Sequence, residues 1–129
     1  MIGVERTDFV GVPVTDRERA VKFYGETLGL NRNELAHEEW PEFETGNVTI
    51  LLNTPEQTGI SFSPSNTAIA LRVPDVEAAM ARLKEAGVEF GFEEAYDSGV
   101  CHMAFFKDPD GNSLILHKRH ASYSHGSTP

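Results

Sequence analysis

Few side chains here are equipped for chemistry: five histidines, one cysteine and some arginines and tyrosines, set among twenty carboxylates. A metal centre needs nitrogen, sulfur or oxygen lone pairs converging from several side chains. The segment HEEWPE at 37–42 sets His37 beside Glu38 and Glu39. It lacks the two histidines one turn apart that a helical zinc motif requires, and it reads as loop or edge charge. Cys101 and His102 are neighbours, so on a strand they point to opposite faces. Cys101 then has no base fixed beside it and reads as a small hydrophobe. His102 reads as a structural rather than a catalytic residue. His117 shares a strand face with Ser113 and Ile115, and a lone histidine there is no metal site. Arg72 is suited either to binding a ligand carboxylate or to a rim salt bridge. Trp40 is either a stacking wall for a ligand or a core or interface residue. Tyr96 completes the candidates for acid–base work, and none forms a recognisable dyad, so catalytic residues stay unassigned. His120 and His125 fall in the polar stretch 120–129, which is expected to fray.

Composition narrows the class of protein that these groups serve. With 40% hydrophobic and 24% charged residues in 129 positions, the chain reads as one soluble globular domain with a real core. A net charge of −9 argues against nucleic acid as a partner. No apolar run reaches the length of a membrane span, and MIGVERTDF has none of the architecture of a signal peptide. One cysteine makes no internal disulfide, so a cytoplasmic setting is expected.

The elements that position the candidates come in two copies. TDFVGVPVTD alternates like a strand, with Pro13 marking an edge or bulge. TDRERAVKFYGETLGL follows with a capping box at Thr15 and Glu18, an apolar stripe through Ala20, Phe23, Tyr24 and Thr27/Leu28, and Gly29 as terminator. TAIALRV and the Pro74-Asp75 start of a second helix repeat this grammar, with Val76, Ala79, Met80 and Leu83 as the stripe and Gly87 as the end. A hairpin turning on Gly-Asn closes each half, EFETGNVTILLN and FFKDPDGNSLILHKR. Asp16 and Asp75 lie 59 positions apart, Gly29 and Gly87 58, and Gly46 and Gly111 65. Such spacing predicts two β-α-β-β-β modules, about 6–53 and 67–119, joined by a Pro/Ser/Thr/Asn-rich linker at about 54–66. The expected fold is α+β: two βαβββ modules in tandem, forming a curved mixed sheet with helices on its outer face.

The helix ending Phe-Tyr-x-x-x-Leu-Gly-Leu and the Asp-Pro-Asp-Gly-Asn turn, within this duplication, resemble the vicinal oxygen chelate superfamily, the glyoxalase/bleomycin resistance protein/dioxygenase group, over roughly residues 6–119. The resemblance implies that metal-dependent members hold a divalent ion on the concave face with histidines and carboxylates, two from each module. Carried over one at a time, those positions fall on Phe9, Ile50, Ala68 and Ile115, all apolar. Hydrocarbon cannot ligate a metal, so no metal is expected there and no cofactor is called for. Family geometry implies that Cys101, Met103 and Phe105 face the cavity, and that His102 faces the helices or a partner subunit.

Three functions remain open. The first is metal-free binding of a small organic molecule in an apolar groove lined by Phe9, Ile50, Ala68, Met103, Phe105 and Ile115, with Cys101, Arg72, His117 and Trp40 around it. The second is a glyoxalase- or dioxygenase-like enzyme with displaced metal ligands or metal-free acid–base chemistry. The third is a partner module with no ligand chemistry. A homodimer is expected, as the family resemblance implies and as an exposed groove would favour.

Overall fold

The computed structural model describes residues 1–124 and 126, so His125 of the polar tail lies outside the described residues. The chain divides into two compact units, Met1–Pro64 and Ser65–Pro129. In the first unit β1 (Phe9–Pro13) leads into α1 (Arg17–Lys22), followed by β2 (Asn31–Arg32), β3 (Glu42–Glu44), β4 (Thr49–Asn53) and a short α2 (Pro55–Thr58). In the second, β5 (Ile69–Arg72) leads into α3 (Val76–Glu85), then β6 (Tyr96–Asp97), β7 (Cys101–Lys107) and β8 (Ser113–Arg119). Strand orders are β1-β4-β3-β2 and β5-β8-β7-β6. In both sheets the first strand lies parallel beside the last, and every other pairing is antiparallel. The duplication read from the spacing of glycines and aspartates is therefore a duplication of topology.

The longer helix of each unit, α1 and α3, opens on an aspartate. Asp16 accepts the Arg19 N–H at 3.1 Å and Asp75 accepts the Ala78 N–H at 3.0 Å, each satisfying one of the donors a helix start leaves orphaned. The cap of α1 is thus Asp16 rather than Thr15, whose hydroxyl instead accepts from the Arg19 guanidinium at 3.3 Å. Past Lys22 the helix widens into a π-helical turn over Phe23–Thr27, where the Leu28 N–H donates to the Phe23 carbonyl five residues back at 2.9 Å. Gly25 sits in this turn because a Cβ there would stand 3.2 Å from Cε1 of Phe43. Tyr24 and Phe43, both fully buried, stack with centroids 6.0 Å apart. They form the first core with Ile50, Leu52, Val12 and Val14.

The second core follows the same parity. Val76, Met80 and Leu83 of α3 lie over Ala104, Phe106, Leu114 and Leu116, all buried. Its closing turn is locked by polar groups. Asp108 Oδ1 accepts the backbone N–H groups of Asp110 and Asn112, each at 2.9 Å, and Asp108 Oδ2 accepts Asn112 Nδ2 at 2.8 Å. Asn112 Oδ1 in turn accepts the Ser65 N–H at 2.7 Å, and Ser65 returns its carbonyl to the Ser113 N–H at 3.0 Å. Gly111 holds φ at +92°, the torsion this tight reversal needs.

The segment expected to be a bare linker contains α2, closed by a capping box in which the Gln57 side chain accepts the Thr54 N–H at 2.9 Å. Gln57 Nε2 also donates to the Glu39 carbonyl, tying α2 to the loop that carries Trp40. Asparagine-to-threonine composition signals an end to the strand, but a threonine followed by Pro-Glu-Gln is also a helix start.

Candidate functional site

Strand alternation sorts the candidates into faces. In the second unit Phe105 stands opposite Ile115, Met103 opposite His117 and Cys101 opposite Arg119. Ala70 pairs with Ile115 and Arg72 with His117 in the neighbouring register, and Tyr96 pairs with Met103. These residues share the face turned away from α3, because Ala104, Phe106, Leu114 and Leu116 take the other. One further apolar ring extends it. Phe92, 61% exposed, meets Phe105 edge-on with centroids 5.8 Å apart, while Phe90, two residues earlier, points to the core side against Phe106. The result is an apolar field of Met103, Phe105, Ile115 and Phe92, with Arg72 and His117 paired across one end of it. Ala68 lies just before β5, exposed and in phase with Ala70.

The first unit behaves differently. Phe9 is 55% exposed and pairs with Thr49, on a face shared with Leu51, Glu42 and Glu44. Ile50 does not join that face: it is 1% exposed and belongs to the core. Counting four residues on from Gly46 places it wrongly, because the turn of β3–β4 differs by one residue from that of β7–β8. A one-residue shift exchanges the faces of a strand. The residue matching Ile115 in strand register is Leu51, opposite Gly11 as Ile115 is opposite Ala70. Glu44 accepts the Thr49 hydroxyl at 2.9 Å and Glu42 accepts Asn33 Nδ2 at 3.0 Å. A polar recess of about 290 Å³ nearby is bounded by Arg6, Asp8, Glu44, Asn47 and Thr49. Trp40 is half-buried in the loop before β3, with its N–H bonded to the His37 carbonyl at 2.9 Å.

With Leu51 corrected for Ile50, the four positions implied for metal ligands carry phenylalanine, leucine, alanine and isoleucine. None offers a lone pair, so these residues do not fit the ion of metal-dependent relatives.

On the side of the second sheet that faces α3, three groups that had looked unrelated converge. His102 Nε2 lies 3.1 Å from Asp97 Oδ2, and His120 Nε2 lies 3.1 Å from Asp97 Oδ1. The imidazoles meet edge-on, centroids 5.3 Å apart. Glu77 of α3 approaches His102 Nδ1 at 3.5 Å, so His102 does face a helix. The Gly99 N–H, followed by the hydrogen bonds from His120 and His102, holds the Asp97 carboxyl below its usual 3.8, at about 2. His120 is not loose: its N–H donates to the Val100 carbonyl at 2.8 Å. The sequence carries a signal for the Asp97–His102 pair alone, since Asp-Ser-Gly marks a tight turn that sets Asp97 opposite His102.

Known proteins share both the sequence pattern and the fold. Residues 6–116 match the Glyoxalase/Bleomycin resistance protein/Dioxygenase superfamily. A protein of Vibrio parahaemolyticus named as a probable lactoylglutathione lyase is 30% identical, the alignment covering 80% of this chain and 83% of that one. The crystal structure of an antibiotic binding protein from Streptomyces sp. CB03234 superposes with a TM-score of 0.73 at 27% identity, over 92% of this chain and 99% of that one. A glyoxalase/bleomycin resistance protein from the same Streptomyces strain gives 0.68 at 30% identity, over 88% and 100%. No helix among the described residues is long and apolar enough to cross a membrane. Two β-α-β-β-β units, the Asp-Pro-Asp-Gly-Asn turn and a match running through both units place this chain in the Glyoxalase/Bleomycin resistance protein/Dioxygenase superfamily.

Proposed function

We propose that the protein binds a small organic molecule on the apolar face of its second unit, without a metal at the family's ligand positions. The observation that carries this reading is the face itself: Met103, Phe105, Ile115 and Phe92 present apolar surface on the side of the sheet that α3 leaves uncovered. Such surface favours an aromatic or otherwise apolar ligand at about 25 cal/mol per Å² buried. Arg72 and His117 stand together at the end of the field, where they suit an anionic substituent on that ligand. The likeness to an antibiotic binding protein supports the same class of ligand. Phe9 and Trp40 are proposed as ligand contacts of the first unit taken by itself, and a homodimer in the cytoplasm is the setting of the proposal.

A thermal-shift and fluorescence screen with hydrophobic drugs, aromatic acids and glutathione conjugates tests the reading. Phe105→Ala should weaken a bound aromatic ligand by about 1–3 kcal/mol, from lost burial and ring contact. Arg72→Ala should weaken anionic ligands and spare neutral ones. If no compound raises the melting temperature, or if hits ignore both substitutions, the face is not a ligand site. Light scattering at the 14.2 kDa monomer mass would reject the dimer.

The relative named as a probable lactoylglutathione lyase favours one other reading, an enzyme acting on a glutathione thioester. An assay for formation or breakdown of lactoylglutathione, with and without added divalent ions, separates the two. Turnover abolished by His117→Ala would establish the enzyme.

A further inference from the structure

We infer that Asp97, His102 and His120 form a divalent transition-metal site on the α3 side of the second sheet, separate from the apolar face and from the family's ligand positions. Three donor atoms, one from each residue, lie within 4.8 Å of one another. Both imidazole-to-carboxylate contacts are 3.1 Å. In a tetrahedral zinc site with bonds of 2.0–2.1 Å, neighbouring donors stand about 3.3 Å apart, so small rotations would bring these atoms onto an ion. Two imidazoles and one carboxylate suit Zn²⁺, Ni²⁺ or Cu²⁺ rather than Mg²⁺ or Ca²⁺, which take oxygen ligands. A water would complete the coordination.

A second, independent feature is the orientation of His102. Its Nδ1 faces the Glu77 carboxylate at 3.5 Å while Nε2 faces Asp97. A metal-bound histidine typically donates its other ring N–H to a carboxylate, which fixes the tautomer and strengthens the ligand. Glu77 stands where that outer carboxylate belongs. Before an ion arrives, the imidazoles donate to Asp97. Binding would shift the ring proton of each imidazole from Nε2 to Nδ1 by exchange with solvent, in His102 toward Glu77, and so free both Nε2 lone pairs for the ion. The backbone already holds the parts in place. Gly99 N–H fixes Asp97 Oδ1 at 2.8 Å, and His120 is pinned to Val100. Side-chain exposures of 54% for Asp97, 38% for His102 and 43% for His120 leave an entry path. An ion there would tie the β6–β7 hairpin to the segment after β8.

The test uses chelator-stripped, tag-free protein titrated with zinc by equilibrium dialysis, with Co²⁺ as a visible-absorption probe of coordination. We expect one ion per chain and a rise in melting temperature. His102→Ala and His120→Ala should each weaken binding at least about 100-fold, and Glu77→Gln about tenfold with the same stoichiometry. His117→Ala and Cys101→Ser, on the opposite face, should leave it unchanged. Asp97→Asn, which keeps size and shape, guards against a folding defect and should also lose the ion. Absence of saturable binding to the wild-type protein overturns the site. So does binding that survives both histidine variants, or that His117→Ala removes.

Discussion

The closing hairpins of the two units share a topology but differ in how they turn. In β7–β8 the turn is tied by Asp108 and Asn112, both buried, and by the bonds to Ser65. In β3–β4 the turn residues Gly46 and Asn47 are exposed. The two turns differ by one residue relative to their strands, and the faces beyond them differ in chemistry. At matched register Phe105 and Ile115 of the second unit correspond to Glu42 and Leu51 of the first, where Glu44 and Thr49 share the face with Phe9. One copy therefore presents a mainly apolar face, and the other a face that mixes carboxylates with Phe9 and Leu51. Duplication preserved the backbone and left the face away from the helix free to diverge.

The largest difference should come from isoleucines that look alike in the two GN-turn motifs. Ile50→Ala removes a fully buried side chain beside Tyr24 and Phe43 and should cost about 2–5 kcal/mol. Ile115→Ala, half-buried on the other kind of face, should cost about 1 kcal/mol. Urea unfolding of the two variants decides the matter, and equal losses would break the register assigned to β4.

The turns themselves give the next effect. Asn112→Ala removes the side-chain hydrogen bonds to Asp108 Oδ2 and from the Ser65 N–H in a buried setting, which should cost about 1–3 kcal/mol. Asn47→Ala, in the exposed counterpart, should change stability by about 0.5 kcal/mol or less. A comparable loss in both would mean that the buried network does not distinguish the copies.

The legibility of the sequence followed the same division. Helices, glycine terminators and the repeated order could be read directly, because apolar stripes and caps are local signals. Period-two counting groups Met103 with Phe105 and Ile115 with His117, the family resemblance turns them toward one cavity, and the pairing of β7 with β8 sets all four on one face. Ile50 was misplaced because register passes through a turn, and a change of one residue in the turn exchanges both faces. α2 was hidden by loop-like composition. His120 reads as tail in sequence, since nothing local shows that a backbone bond to Val100 holds it next to Asp97. Contacts between residues 23 positions apart depend on strand pairing, which no single window contains.

The smallest effect separates the connections that precede the third strand of each unit. The first unit spans β2 to β3 with a long loop, whereas Ser98, Gly99 and Val100 join β6 to β7 in a tight turn that donates the Gly99 N–H to Asp97. That donor, with His120 and His102, lowers the Asp97 carboxyl from 3.8 to about 2. Between those values the folded protein binds fewer protons at Asp97 than the unfolded chain does. The stabilisation is therefore complete above the unfolded value, declines as pH falls from 3.8 toward 2, and is absent below 2. Asp97 is more than half exposed, so solvent screens the contribution and it should be modest. Urea melts of wild type and Asp97→Asn in chelator, at several pH values from about 6 down to 2, should converge at the acid end. A gap between them that ignores pH would show that the side chain acts by shape alone. A carboxyl-carbon NMR titration sharpens the assignment: His102→Ala and His120→Ala should each raise the Asp97 midpoint only part of the way to 3.8, because the Gly99 N–H, the largest cause, remains.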